Sequence, residues 1–169
     1  MRRFALPLAF LIGIYLDSIL FCRLNIGGIR PDALLVVIVS AGVLLGSVKA
    51  GIMGVGIGLF MDVLFGPCIG LNAIAYMVAG VTGGLFYQKF YADNVVVPAM
   101  VAAVSALLKE HIMMLAVRIS GGTFSYFEML GVYVLPCMLL TVALTMPVHV
   151  VLKRALSRQV RTEHRAGRA

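Results

Sequence analysis

Long uncharged stretches are the feature that most restricts how this chain can fold. No charged residue occurs between Lys49 and Asp62, and 62% of the 169 residues are hydrophobic. Segments of this kind are typical of helices that cross a hydrocarbon core about 30 Å thick, where few charged side chains are tolerated. The charges and turn residues divide the chain into six apolar segments, at residues 4–22, 33–48, 51–66, 71–88, 95–117 and 129–152. We therefore predict an all-α integral membrane protein with about six transmembrane helices.

The second and third segments are predicted to form a tight hairpin. A single helix over residues 33–66 would extend about 50 Å at about 1.5 Å per residue, far beyond the thickness of the hydrocarbon core. The chain is therefore expected to turn near Gly46–Lys49. Each of the two segments has 16 residues by this division. This short length leaves open a full crossing or a partial, re-entrant helix that is buried in protein.

Basic residues are distributed unequally between the two ends of the predicted spans. With six spans both termini lie on one face, and the face richer in Lys and Arg is retained in the cytoplasm. That face holds Arg2, Arg3, Lys49, Lys89, Lys153, Arg154, Arg158, Arg161, Arg165 and Arg168, whereas the other holds Arg23, Arg30 and Arg118. We predict cytoplasmic termini, one polytopic membrane domain over residues 1–152 and a basic cytoplasmic tail over residues 153–169. The tail is expected to contact anionic lipid headgroups rather than nucleic acid, because no soluble domain accompanies it.

Small residues recur every fourth position in the middle of the chain. Gly54, Gly58 and Asp62 lie on one face of the third span, because i, i+4 and i+8 positions of a helix point the same way. The same spacing occurs in the second span at Gly42 and Gly46 and in the fourth at Gly80 and Gly84. Glycines let helix backbones approach closely in lipid, so the second, third and fourth spans are predicted to pack tightly. Asp62 then faces protein, where it can accept hydrogen bonds from the loop Gly66–Asn72.

Two further groups of polar residues lie inside the fifth and sixth spans. They comprise Lys109, Glu110 and His111 in the fifth, and Thr141, Thr145 and His149 in the sixth. Adjacent helical residues are about 100° apart, so the first three side chains cannot all point to one ligand. The two groups can face each other. An interhelical hydrogen-bond network is the favoured interpretation, and a polar ligand or ion path is the alternative.

Signatures of catalysis and metal binding are missing from the sequence. It contains no phosphate-binding GxxxxGK[ST], no HExxH and no GxSxG. Asp17 and Asp62 would be the carboxylates of an intramembrane aspartyl protease. The chain lacks, however, the asparagine-containing and Asp-Arg motifs of the lipoprotein signal peptidases. Its three histidines lie far apart, and we predict no catalytic residue, metal or cofactor. Cys22 and Cys68 both fall near the external face, so a disulfide is possible, although small apolar packing residues are favoured.

The motifs around the second to fourth spans resemble those of the MreD family of bacterial rod shape-determining proteins. The residues that carry the resemblance are Arg30, Pro31 and Asp32 before the second span, Asp62 at the end of the third, and Gly66, Pro67, Gly70, Leu71 and Asn72 after it. The resemblance is specific over residues 30–87, whereas later only hydrophobicity and spacing agree. Local roles for the first motif are also expected: Pro31 starts a helix and Asp32 favours its dipole from the first turn.

The resemblance implies a non-enzymatic component of the cell-elongation machinery in the bacterial cytoplasmic membrane. It implies that the chain binds MreC and, through the complex, is connected to MreB, RodA and a penicillin-binding transpeptidase. It also implies a fold similar to the six-helix substrate-binding subunits of energy-coupling-factor transporters. A small-molecule-binding subunit of such a transporter is therefore the alternative, with Glu110, His111, Thr141, Thr145 and His149 as candidate cavity residues. A scaffold would instead offer small residues such as Gly80 and Gly84 to a partner's helix.

Overall fold

Helices account for nearly all of the computed structural model, which describes residues 5–20, 31–66, 68–87, 96–122 and 126–166. The helices are α1 (Ala5–Tyr15, continued by a π-helix over Leu16–Leu20), α2 (Ala33–Leu45), α3 (Ser47–Phe65), α4 (Leu71–Leu85), α5 (Val96–Ile119), α6 (Tyr126–Met129, followed by a π-helix over Leu130–Val134) and α7 (Leu135–Ala166). The described residues form no β-strand. The prediction of an all-α membrane fold with about six spans is confirmed, because α6 and α7 form one continuous sixth segment. Arg30, Pro67 and Cys22 lie outside the described residues.

The helices differ in whether they are long enough to cross a membrane. Among the described residues, three segments are long and apolar enough, namely Ser47–Phe65, Val96–Ile119 and Leu130–Arg154, whereas the apolar helices in the first, second and fourth spans are shorter. Of the hairpin, α2 is the short member, since its 13 residues extend only about 20 Å. The predicted turn lies at Gly46, whose φ of 94° ends α2 and begins α3. This left-handed conformation favours glycine, because a Cβ atom would strain it.

Helix α2 occupies the centre of the bundle. Every residue from Ala33 to Gly42 is buried, and the helix contacts α1, α3, α4, α5 and α7. A helix that is apolar on all sides is stable when protein surrounds it completely. Its short length is compatible with this position, because protein rather than lipid surrounds its ends. The position of α2 therefore places whatever lies at its N-terminus inside the protein.

Close glycine contacts join α2, α3 and α4, as the spacing predicts. A Cβ atom added at Gly42 would lie 2.7 Å from the carbonyl oxygen of Gly80, and one added at Gly80 would lie 2.5 Å from that of Ala50. The equivalent atom at Gly84 would collide with the backbone of Ser47. Gly80 and Gly84 are therefore used inside the bundle. This corrects the expectation that they offer a surface to a partner's helix.

We expect Gly58→Ala to destabilise the protein, whereas Gly56→Ala on the same helix should not. A Cβ atom at Gly58 would collide with the backbone of Ala73 in α4, but one at Gly56 meets nothing within 4 Å. Overpacking of this kind costs about 1–3 kcal/mol. In an exposed helix interior, by contrast, alanine is favoured over glycine by up to about 1 kcal/mol. Unfolding of the two purified variants in mild detergent measures the difference, and equal stability would contradict the described α3–α4 contact.

Candidate functional site

Asp32 lies at the N-terminus of the central helix and caps it. Its backbone is extended, and its Oδ1 accepts a hydrogen bond of 2.7 Å from the N–H of Leu35. This is the usual geometry of an aspartate N-cap, which satisfies one of the amides that a helix leaves without a partner. The helix begins at Ala33. The expectation that Pro31 starts the helix and that Asp32 lies in its first turn is therefore wrong, since Asp32 is the cap and Pro31 precedes it.

A second carboxylate, that of Asp17, caps the same helix end. Oδ1 of Asp17 accepts from the N–H of Ala33 at 2.8 Å, and Oδ2 accepts from the N–H of Leu34 at 3.0 Å. Asp17 belongs to the π-helix that ends α1. Together the two aspartates satisfy the first three amides of α2 at the positive end of the helix dipole. Sequence reasoning missed this role, although an isolated acidic residue at the end of the first span, close in sequence to the start of the second, was a usable signal.

Lys109 of α5 and Tyr76 of α4 complete the polar cluster around Asp32. The Lys109 ammonium donates to Oδ2 of Asp32 and forms an ion pair with it. The Tyr76 hydroxyl lies 3.2 Å from both carboxylate oxygens of Asp32, and the Lys109 nitrogen lies 4.9 Å from the centre of the Tyr76 ring. Buried charges of this kind need both a counter-charge and hydrogen bonds. Lys109 therefore provides the positive charge beside two carboxylates, and the α2 dipole adds to it.

Thr141 attaches α7 to the same point. Its Oγ1 accepts a hydrogen bond of 3.2 Å from the N–H of Asp32 and donates one of 2.8 Å to the carbonyl oxygen of Cys137. Thr145 donates in turn to the carbonyl oxygen of Thr141 at 2.8 Å. The cluster of Asp17, Asp32, Tyr76, Lys109 and Thr141, here called the polar hub, therefore joins five helices. Of the two predicted polar groups, only Lys109 and Thr141 meet in it.

Three of the described side chains have buried polar atoms without a hydrogen-bond partner, namely Ser18 beside Asp17 and, deeper in the bundle, Ser40 and His149. Neither ring nitrogen of His149 nor the Ser40 hydroxyl has a partner among the described atoms, and both residues are almost completely buried. The N–H of Asp32 donates to Thr141. Ser40 follows Asp32 by eight residues on α2, and His149 follows Thr141 by eight residues on α7. The two helices run in the same direction, because Leu44 packs with Leu152 farther along. Ser40 and His149 therefore lie at one level of the bundle.

Glu110 and His111 point away from the polar hub. The His111 ring donates from Nδ1 to the carbonyl oxygen of Leu107 at 2.7 Å, so its Nε2 accepts from the Tyr126 hydroxyl at 2.6 Å. Glu110 lines a cavity of about 80 Å³ together with Met113, Met114, Val117, Met129, Tyr133 and Val134. The polar residues suggested for a transported ligand thus lie apart, and their described contacts do not assemble a shared polar cavity.

Asp62 forms a second cap, at the N-terminus of α4. Its Oδ2 accepts from the N–H groups of Gly70 and Ala73 at 2.9 and 3.2 Å. Its Oδ1 accepts from the N–H and the side-chain amide of Asn72 at 3.1 and 2.8 Å. Gly70 has a φ of 101°, a conformation that favours glycine. The Gly-Leu-Asn part of the motif therefore builds a turn around a buried carboxylate, in which the predicted hydrogen bonds from the loop are present.

Close contact with the backbone of Asp62 explains why residue 66 of the motif is a glycine. A Cβ atom added at Gly66 would lie 2.8 Å from the Cα atom and the carbonyl oxygen of Asp62, and the N–H of Gly66 donates to that oxygen at 3.0 Å. A side chain at Gly66 would therefore push the turn away from the aspartate that it surrounds.

The described aspartates Asp17, Asp32 and Asp62 cap helix N-termini, and the two that were considered for a protease cap different helices. Asp17 binds the amides that begin α2, whereas Asp62 binds the amides that begin α4. The pairing of Asp17 with Asp62 considered for a protease is therefore not the arrangement that these contacts describe. Within the described ranges, no three His, Cys, Asp or Glu residues are grouped as a metal site. Cys68 is exposed and free, and the Cys22–Cys68 pairing lies outside those ranges.

We expect Lys109→Met to destabilise the protein by about 3–5 kcal/mol, the usual loss when one member of a buried ion pair is removed. Methionine retains much of the length of lysine but leaves the Asp32 carboxylate without its cation. Arg118→Met, at an exposed position of the same helix, is the matched control and should change the free energy of unfolding by no more than about 0.5 kcal/mol. Unfolding in mild detergent measures both variants. The double variant Asp32→Asn, Lys109→Met should lose less than the sum of the single variants, and simple additivity would contradict the described pair.

Asp62→Asn should destabilise the protein by about 3–6 kcal/mol, the loss expected for two hydrogen bonds to a charged acceptor. The asparagine NH₂ would face N–H donors, so about half of the four hydrogen bonds that Asp62 accepts would be lost, each worth about 1.5–3 kcal/mol when the acceptor is charged. Asn72→Ala removes only one donor, so it should have a smaller effect in the same unfolding measurement. The described capping role would be wrong if Asp62→Asn were no less stable than Asn72→Ala.

Comparison with known proteins identifies the family. A family model described as MreD, rod shape-determining protein MreD, matches residues 1–154. A search of curated proteins and a search of solved structures gave no match. The similarity to energy-coupling-factor subunits therefore stays a prediction. The matched range covers both capping motifs and every member of the polar hub. The chain thus belongs to the MreD family and is a membrane component of the bacterial machinery that determines rod shape.

Proposed function

We propose that this protein is a non-catalytic scaffold that binds MreC in the bacterial cytoplasmic membrane. The observation that supports the proposal is that the carboxylates of the polar hub and of Asp62 hold helices together. These carboxylates accept hydrogen bonds from helix N-termini or pair with Lys109. A site organised in this way fixes helices relative to one another and leaves no described reactive group facing a substrate cavity. Rigid positioning of helices is what a scaffold requires.

The partner's helix would bind on an outer face of the bundle. Helices associate in lipid by close packing, because lipid gives them no hydrophobic drive. Most glycines of α2, α3 and α4 already contact their own neighbours, whereas Gly56 on α3 is exposed and has open space around it. Ile52, Phe60 and Val63 share this side of α3 and are exposed. We assign this surface, called the α3 outer face, to the transmembrane helix of MreC. Connection to MreB, RodA and a penicillin-binding transpeptidase follows through that complex.

The proposed orientation places both termini in the cytoplasm as part of a multi-pass arrangement. Lys49 follows the α2–α3 turn, and Lys153 lies near the level of that turn, because Leu44 packs with Leu152. Arg118 lies in the last turn of α5, at the opposite end, because α5 runs antiparallel to α4: Ser105 contacts Thr82, and Lys109 contacts Tyr76. The basic residues therefore concentrate at one end of the bundle, which supports the orientation given by the positive-inside rule.

Site-specific photo-crosslinking in cells tests the scaffold function. A crosslinking residue at Ile52 or Phe60 should capture MreC, and the same residue at Val104, exposed on α5, should capture it much less. Placement at Val39, which is fully buried, is the negative control. The scaffold proposal is overturned if no exposed position on α3, α5 or α7 crosslinks to co-expressed MreC. Capture from α5 or α7 alone would overturn only the assignment of the α3 outer face. Activity of alkaline phosphatase fused after Ala169 would overturn the orientation.

A further inference from the structure

An apolar cavity lies between α1, α2 and α7, on the side of the bundle away from α3. Its volume is about 300 Å³, and every described side chain that lines it is apolar. Ala9 and Gly13 line it from α1, Val37 from α2, and Leu144 and Val148 from α7. None of the polar-hub side chains lines it, so its contents would contact hydrocarbon only. The cavity is therefore separate from the polar hub that positions the helices.

The cavity opens toward lipid rather than toward either aqueous side. Two of its lining residues, Ile12 of α1 and Val151 of α7, are 51% and 67% exposed. Val37, on its inner wall, is buried. A gap of this kind between membrane helices is filled by whatever moves laterally in the bilayer, because an unfilled cavity loses the dispersion contacts of its lining.

The dimensions and lining of the cavity suit one lipid chain. Its α7 wall extends from Leu144 to Leu152, which is about 12 Å along a helix at about 1.5 Å per residue. One leaflet of a hydrocarbon core about 30 Å thick has acyl chains that extend about 15 Å. The cavity can therefore hold most of one acyl chain, and its apolar surface provides no partner for a polar molecule.

A basic side chain, that of Arg154, lies beyond the end of the cavity that Val151 and Leu152 of α7 line. Arg154 follows Val151 by three residues on α7, so the two lie on the same side of that helix. It is exposed. A long arginine side chain extends along apolar surface while its guanidinium reaches the interface, where it pairs with phosphate in a bidentate manner. Positive charge therefore lies where the headgroup of a lipid in the cavity would be.

We propose that this cavity is a binding site for an anionic phospholipid, with one acyl chain between α1, α2 and α7 and the headgroup at Arg154. The proposal is independent of MreC binding, because it uses a different surface from the α3 outer face. One basic residue at the interface favours an anionic over a zwitterionic lipid by about fivefold. The bound lipid is therefore expected to be enriched in the anionic class by about that factor over the surrounding bilayer.

The test reconstitutes the full chain in vesicles of three parts zwitterionic to one part anionic phospholipid, followed by re-extraction in mild detergent. Lipid mass spectrometry then measures how much of each class remains bound. The wild type should retain about one lipid per chain with the stated enrichment. Ala9→Phe, which fills part of the cavity, should lose most of this lipid, whereas Ala143→Phe, exposed on α7, should retain it. Arg154→Gln should lose the enrichment but keep the lipid, and Arg118→Gln at the opposite end should lose neither.

Several results would overturn the proposal. The proposal is wrong if the wild type retains anionic and zwitterionic lipid in the same ratio as the vesicles. It is also wrong if Ala9→Phe and Ala143→Phe retain equal amounts of lipid. If Ala9→Phe does not fold, Val151→Phe fills the exposed side of the cavity instead. Lipid retention equal to that of the wild type in this variant would also contradict the proposal. A crosslinking residue at Ile12 that captures MreC in place of lipid would show a protein occupant and would also overturn it.

Discussion

The structure depends on satisfying the amides at the start of a helix that lies inside a membrane protein. A helix leaves its first N–H groups without partners, and water is not available in the bilayer interior to bond them. Helix α2 begins in this situation, surrounded by five other helices. Asp32 from its own N-cap and Asp17 from α1 satisfy three of these amides. The position of the central helix is thus fixed by carboxylates rather than by packing alone.

This solution requires a positive charge, and the origin of that charge determines how the bundle is assembled. Two carboxylates beside one helix terminus would repel each other without a cation, and the dipole of α2 offsets them only in part. Lys109 provides the charge from α5, Tyr76 adds a hydroxyl from α4, and Thr141 bonds the Asp32 backbone from α7. Helix α3 contributes nothing to this cluster and is instead attached to α4 through glycine contacts and the Asp62 cap. Two different devices therefore hold the two sides of the protein.

Local features of the sequence predicted one of these devices but not the other. The spacing of Gly54, Gly58 and Asp62 is a property of one helix, so it could be read without knowledge of the fold. The turn at Gly46 followed from the length of a membrane helix in the same way. The pair of Asp32 with Lys109 joins residues 77 positions apart. It depends on the rotation and depth of two helices relative to each other, which periodicity does not determine. The capping role of Asp17 was missed because it depends on where the π-helix directs its carboxylate.

The order of the polar hub along the chain has a consequence for biogenesis. Synthesis proceeds from the N-terminus, and N-terminal segments fold first. Asp17 and Asp32 therefore enter the membrane well before Lys109, which lies in the fifth of the six helical segments. Until α5 is inserted, the two acidic groups have no basic partner from this cluster, and unpaired charged side chains are costly inside a membrane. The polar hub thus stays incomplete until α5 is inserted, when Lys109 provides the cation that pairs with Asp32.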